Sequence, residues 1–440
     1  MNYKQIFAMI LPIFVDNAFL VVMTMLNTAM ISSSGVAAVS AVSMVDSLNI
    51  FLVNVFIAVA TGGTVIVAQY KGSGNAEMVS KAASQAVTTV TIVSLAISAL
   101  VILFHNPTLN GLFGSAEADV FEGAKLYLIG SCITFPFFAI YQAVIGVLRG
   151  VAETKVCLFL SVFLNLTNFV LNVVFIIVLN MGIKGLILSM ILARVLGMAA
   201  SIIYLVKHSP MIHFQLKHAF KLELSIIRKI MYIGIPFAAE QLFFNGGKLL
   251  TQTFIVQFGT LALTVNAISN ALSMLLQTGA SALSIAIVTV VGQCIGRGDV
   301  QDARKYVMSF MKLSMWVFIA SAAIILPLFP LLVNMFSPPE EIISTIFKLI
   351  LLISITQPIL WTFSFVLPSA LRAAGDSKFT SITALITMWL IRVILGYILG
   401  VTLGYGIIGV WIAMVVEWGV RGILFAWRFK GDRWYRHKLI

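Results

Sequence analysis

The second half of this chain repeats the first at a nearly constant distance, and that restricts the fold more than any local pattern does. Pro12 and Asp16 in LPIFVDNAF return as Pro236 and Glu240 in IPFAAEQLF, and AQYKGSG (Ala68 to Gly74) returns at the same offset as GQCIGRG (Gly292 to Gly298). With the register slipped by a single position, LRGVAETK (Leu148 to Lys155) returns as LRAAGDSK (Leu371 to Lys378), and GIKG at Gly182 returns as GIIG at Gly406 with the original offset restored. A duplication of this length builds two equivalent halves, the architecture of carriers that alternate around a central site.

Composition decides the solvent. With 60% hydrophobic and 10% charged residues and a mean hydropathy of +1.05, the chain has too little polar area to face water, so it reads as an all-α polytopic membrane protein. Apolar stretches long enough to cross a hydrocarbon core of ~30 Å occur at 6–31, 37–69, 80–104, 120–148, 155–180 and 185–206, then at 230–256, 262–292, 303–334, 341–371, 377–402 and 407–428. The expected architecture is twelve transmembrane helices in two pseudo-symmetric six-helix bundles, 1–206 and 230–428, joined by a segment at 207–229 and followed by a basic tail at 429–440. An even number of spans per half makes the repeats parallel, related by an axis along the membrane normal.

The net charge of +12 is a topology signal rather than a nucleic-acid footprint, because the cations are sorted by side. One set of loops and ends holds Lys4, Lys71, Lys81, Arg149, Lys155, Lys207, Lys217, Lys221, Arg228, Lys229, Arg297, Arg304, Lys305, Arg372, Lys378 and the tail, whereas the opposite loops offer Lys125, Lys184 and Lys348. The positive-inside rule then puts both termini and 207–229 in the cytoplasm, with the lipid bilayer as the partner of the basic surface. The basic, partly amphipathic 207–229 segment is expected as a helix lying on the inner leaflet. The N-terminus has an apolar run too long for a signal-peptide core and reads as an uncleaved first helix. Cys132, Cys157 and Cys294 match no zinc, redox or disulfide spacing and are expected to be packing residues.

These landmarks resemble the multidrug and toxin extrusion (MATE) family over essentially the whole chain. The residues that carry the resemblance are Pro12, NTAMISSSG (Asn27 to Gly35), AQYKGSG, LRGVAETK, NLTNFVLN (Asn165 to Asn172), GIKG and the second-half copies of Pro12, AQYKGSG and LRGVAETK. The resemblance implies an antiporter of the bacterial plasma membrane that exports small lipophilic, often cationic organic compounds in exchange for protons or sodium. It implies no cofactor beyond that ion, and a monomer is expected. Many relatives carry Asp where this chain has Asn27 and Asn172, and an amide cannot take up and release a proton near neutral pH. A lipid-linked oligosaccharide or other lipid flippase of the same superfamily is the alternative. Such a cavity needs several cations for a pyrophosphate, and Arg194, Lys248 and Arg392 are the candidates. The basic loop signature of the major facilitator superfamily is missing after helix 2. A membrane enzyme is disfavoured, since neither H-E-x-x-H nor a phosphate-binding loop nor a clustered Asp pair for a metal is present.

Intramembrane charge locates the candidate site, because a charge at the bilayer centre costs ~2.5–3.5 kcal/mol on insertion scales and needs a partner, a cavity or a role. Asp16 and Glu240 each sit one turn after a proline that bends the first helix of its half, and they are the leading ion-coupling candidates. Asp46 stands where the second half has Asn270, with Asn49 one turn on; it either lines a cavity or pairs with Arg194. Asn165, Asn168 and Asn172 share a face of helix 5 and could complete a polar pocket with Asp16, Asn27 and Asp46. In the second half, Gln241, Asn245, Lys248 and Gln252 form one stripe, and Asn266, Asn270, Ser273 and Gln277 form another, so both are expected to line a substrate cavity. Lys248 could instead neutralise Glu240. Arg392 is expected to pair with Glu240 or Glu417, and Glu417 with Arg421 at i and i+4.

Overall fold

A computed structural model describes residues 1–440. Every regular element is helical. The long helices are α1 Tyr3–Ile31, α2 Val36–Ser73, α3 Ala76–Leu103, α4 Ala118–Gly150, α5 Thr154–Asn172, α6 Ile183–Lys207, α7 Leu224–Gln257, α8 Thr260–Gly296, α9 Val300–Asn334, α10 Glu340–Trp361, α11 Ser377–Thr387 and α12 Gly406–Lys430. Wider π-type turns extend α5 through Val173–Val178 and α10 through Thr362–Val366, and α11 runs on through alternating π and α turns to Thr402. Eleven of these runs are long and apolar enough to cross a membrane. The exception is α7, whose stripe of Glu240, Gln241, Asn245, Lys248 and Gln252 lowers its hydropathy. The chain divides into two compact units, Met1–Ala238 and Ala239–Ile440.

Duplicated sequence produces duplicated local structure. Asn2 accepts from the Gln5 amide at 2.9 Å while the Gln5 side chain accepts from the Asn2 amide at 3.0 Å, a reciprocal cap that starts α1. Gly74 ends α2 at φ +78° and Gly298 follows α8 at φ +77°, a left-handed turn that glycine adopts without strain. The next residue caps the following helix in each half, Asn75 accepting from the Met78 amide at 3.1 Å and Asp299 from the Asp302 amide at 3.0 Å. Within the helices, hydroxyls satisfy themselves on carbonyls one turn back, as Thr24 and Thr28 do along α1 and Ser32 does just past its end. This lets them sit in an apolar setting.

In the first unit α2 and α4 form the centre, with α3 and α6 on α4 and α1 on α5. Small residues permit the close crossing. A Cβ on Gly146 would stand 2.7 Å from Thr64 Oγ1, and one on Gly150 would stand 3.0 Å from the Thr64 carbonyl. A Gly146→Leu substitution is therefore expected to destabilise the protein by about 1–3 kcal/mol through overpacking, read as a lower Tm in detergent. The three cysteines are buried and free.

The 207–229 segment is not the long amphipathic helix expected from its composition. Its one complete helix is Leu216–Ala219, and from Leu224 the chain already belongs to α7. It is strapped along α3: Gln85 Nε2 donates to the carbonyls of His218 (3.1 Å) and Lys221 (2.7 Å), and Gln85 Oε1 accepts from the Glu223 amide (3.1 Å). Thr88 donates to the Ala219 carbonyl at 2.5 Å. The buried Gln85 amide and the half-buried Thr88 hydroxyl on α3 thus capture strap backbone groups that a helix would have satisfied internally.

The basic tail is also folded. Trp434 is fully buried, and the Arg304 guanidinium holds the carbonyls of Phe429 (2.9 Å) and Gly431 (2.8 Å). Asp376, in the loop between α10 and α11, accepts from Arg428 at 2.7 and 3.0 Å and lies 3.0 Å from His437 Nε2. Burial opposes the charge of this carboxyl, but the hydrogen bonds from His437 and Arg428 and the Arg428 charge hold it below the usual carboxylate range. A depressed folded-state pKa contributes stability that is present above the unfolded value of about 3.9 and is lost as pH falls through the folded value. Trp434 should accordingly become accessible to acrylamide only in that acidic range. Asp376→Asn should release the tail to trypsin at neutral pH about tenfold faster; an unchanged cleavage rate would show that the aromatic contacts suffice.

Candidate functional site: two polar cavities and a duplicated ion pair

The acids placed one turn after the prolines inside α1 and α7 each meet an arginine. Asp16 on α1 lies 3.6 Å from Arg149 at the end of α4, and Glu240 on α7 lies 3.2 Å from Arg372, which follows α10. Ser381 of α11 donates to Glu240 at 3.0 Å. Asp16 is only 4% exposed, and its Oδ1 is buried without a hydrogen-bond partner. The sequence alone counts Arg149 and Arg372 among the cytoplasmic loop cations; the structure places both in helices against intramembrane carboxylates. Lys248 therefore does not neutralise Glu240, and Arg392 forms an ion pair with neither Glu240 nor Glu417. Glu417 does pair with Arg421, at 3.3 Å. A signal for the arginine partners is present in the chain, because Arg149 and Arg372 repeat at almost the same offset as the acids.

The first unit holds a cavity of about 320 Å³ lined by Asn27, Asp46, Tyr127, Asn165, Asn168, Asn172 and Arg194, with Phe138 on its wall. Asp16 is not among its lining residues. Tyr127 donates to Asp46 at 2.9 Å, and Asn49 reaches Asp46 at 3.5 Å and Ser131 at 3.1 Å. Asn172 donates to Asn27 at 3.3 Å and accepts from Ser189. Asn165 donates to the Ser161 carbonyl one turn back, at 2.9 Å. Asn168 Oδ1 is buried without a hydrogen-bond partner. The pair considered between Asp46 and Arg194 does not form; Arg194 donates to Thr134 at 2.5 Å and lies over Phe138, 4.7 Å from the ring centre. Asp46 is thus an acid facing open space, held by neutral donors. Tyr127 is a site residue that sequence reasoning misses, since it lies on a mostly apolar helix where nothing local marks a lone phenol.

The second unit holds a cavity of about 410 Å³ lined by Lys248, Gln252, Asn266, Asn270, Ser273, Gln277 and Arg392 from the expected set. Gln241 and Asn245 do not line it; Asn245 bonds the Gln241 carbonyl one turn back at 2.8 Å. Phe244, Trp361, Phe365, Trp411 and Trp418 form the aromatic part of the wall. Trp361 stacks on Phe365 at 4.6 Å, and Trp411 Nε1 donates to Asn266 at 3.1 Å. This aromatic wall is legible in the sequence only as an excess of aromatic residues, because rings facing lipid and rings facing a cavity have the same local pattern. The two cavities use equivalent positions: Asn27 and Thr251, Thr28 and Gln252, Val42 and Asn266, and Asp46 and Asn270 are each separated by the repeat distance that relates Pro12 to Pro236.

The comparisons with known proteins agree with this duplication. The MatE family model matches residues 12–174 and again 236–398. The uncharacterized transporter YisQ of Bacillus subtilis is 29% identical over 435 residues, covering 98% of this chain and 94% of that protein. The probable multidrug resistance protein NorM of Thermotoga maritima is 24% identical over 446 residues, covering 99% and 94%. Among solved structures, a point mutant of the Vibrio cholerae MATE transporter VcmN shares the fold with a TM-score of 0.89 at 18% identity, covering 99% of this chain and 98% of that one. With a family model matched in both halves and relatives aligned from end to end, the chain belongs to the MATE family of membrane transporters and is not an enzyme.

Proposed function

We propose that this protein is a secondary active antiporter of the bacterial plasma membrane, with both termini cytoplasmic, that exports small lipophilic organic compounds, cations among them, in exchange for protons or sodium by alternating access. The observation that carries the reading is Asp46, a carboxylate lining an open cavity with Asn27, Asn165, Asn168 and Asn172 beside it. A coupling acid has to be reachable by its ion, and the carbonyl oxygens of these amides add neutral ligands to one negative charge. Asp16 then acts through conformation. Neutralising Asp16 releases Arg149 next to a proline-bent helix, which biases the equilibrium between inward- and outward-open states. Asn27 and Asn172, amides where many relatives carry Asp, leave Asp46 as the only acid lining this cavity.

Purified protein in liposomes, given a cationic dye and then a pH gradient or a sodium gradient, tests the reading. Dye efflux driven by one gradient is expected. Equal leakage under both gradients and under neither would remove the antiport assignment, and transfer of a lipid-linked sugar in the same vesicles would replace it with the flippase.

A further inference from the structure

The two cavities occupy corresponding places in their repeats but differ in the charges that line them. Thr24 and Asn168 line the first; at the repeat distance that relates Pro12 to Pro236, Lys248 and Arg392 line the second. The acid of the first, Asp46, is the amide Asn270 in the second, and no residue lining the second is acidic. Around the Phe244 ring lie three cations, with Lys248 Nζ 4.9 Å, the Arg421 guanidinium 5.5 Å and the Arg392 guanidinium 5.7 Å from its centre. A single carboxylate serves them. Glu417 is fully buried, is held by Arg421 at 3.3 Å and accepts from Thr387 at 3.1 Å. Glu240, on the same helix as Lys248, is committed to Arg372 and Ser381. Lys248 and Arg392 form no ion pair, and Arg392 Nε is buried without a hydrogen-bond partner.

Lys248 and Arg392 share one aromatic ring without an acid of their own, and two like charges so placed repel one another. A ring face relieves part of that but supplies no counter-charge. A carboxylate or phosphate would supply it, and Arg392 offers the planar fork that matches either group, with Lys248 as a point charge beside it. Trp361 and Trp418 on the same wall provide flat apolar area for the rest of such a molecule.

We propose that the cavity of the second unit binds small amphipathic organic anions, with Lys248 and Arg392 on a carboxylate or phosphate and Trp361 and Trp418 against an aromatic body. The inference rests on the transport reading only in making that anion a cargo; the binding itself needs no gradient.

Calorimetric titration of the purified full-length protein in neutral detergent with 2-naphthoate and with the matched cation 2-naphthylmethylammonium tests it. Naphthoate is expected to bind at least about tenfold more tightly than the cation. Lys248→Gln and Arg392→Gln should each weaken naphthoate by about tenfold without weakening the cation, while Arg392→Lys keeps most of the affinity. Should Arg392→Gln fail to fold, Lys248→Gln and Arg392→Lys still decide the matter. The proposal is overturned if naphthoate does not bind, if the cation binds as tightly, or if Lys248→Gln binds naphthoate like the unaltered protein. A response to phosphatidylglycerol micelles with none to naphthoate would also overturn it, by assigning the cations to a lipid headgroup. Loss of ion-coupled dye efflux leaves this result standing, and a failed naphthoate titration leaves the antiporter standing, so the two readings fail separately.

Discussion

An Asp46→Asn protein is expected to lose ion-driven efflux by about a hundredfold, the upper end of typical coupling free energies between sites, while continuing to exchange dye for dye without a gradient. The substitution removes the only carboxylate lining the cavity of the first unit and leaves its shape intact, since Tyr127 and Asn49 can still bond an amide. Coupling needs a site whose occupancy by the driving ion differs between the two access states, and an amide neither protonates near neutral pH nor attracts sodium as a carboxylate does. Asp16→Asn is expected to behave differently. It breaks the pair with Arg149 without touching the cavity lining, so it should change the ratio of inward- to outward-open protein, measured by labelling of single cysteines, more than the affinity for dye. Full coupled efflux in Asp46→Asn at every pH would remove Asp46 from the ion path.

A large stability effect is expected where the second unit buries its copy of the pair. Arg372 and Glu240 have side-chain exposures of 6% and 13% and lie 3.2 Å apart. Removing one partner strands the other charge, so Arg372→Met should cost about 3–5 kcal/mol, whereas the double variant Arg372→Met with Glu240→Leu should recover most of that loss. Thermal unfolding in detergent, followed by tryptophan fluorescence, gives the four corners of the cycle. The equivalent pair in the first unit is longer, at 3.6 Å, and the Arg149 side chain is 21% exposed. Its loss should therefore cost roughly half as much. Equal costs for both pairs would show that water reaches them alike.

Most of the fold is legible in the chain because the features that fix it are local. Apolar runs of span length, Gly74 with Asn75 and Gly298 with Asp299 as stop-and-start signals, and the prolines at 12 and 236 act within a few residues of themselves. The candidate site is legible in part. Polar residues on spanning helices mark faces that avoid lipid, and this brings Asp46, Asn165, Asn168, Asn172, Asn266, Asn270 and Gln277 to cavity walls. The same logic fails for Gln241 and Asn245, neither of which lines a cavity; the Asn245 amide bonds its own helix backbone and so satisfies itself wherever it points.

From the sequence alone come the duplication, the helix count and the set of intramembrane charges, all of which depend on spacing along the chain. Which charges meet is decided by tertiary structure: Arg149 and Arg372 read as loop cations until helix ends bring them to Asp16 and Glu240, and the acids expected for Arg392 are taken by other arginines. The same is true of the strap on α3 and the buried tail, where Gln85 and Arg304 reach partners distant in the chain, Lys221 and Phe429. The physical reason is that Coulombic and hydrogen-bond energies depend on separation in space, which helix packing sets and residue order does not.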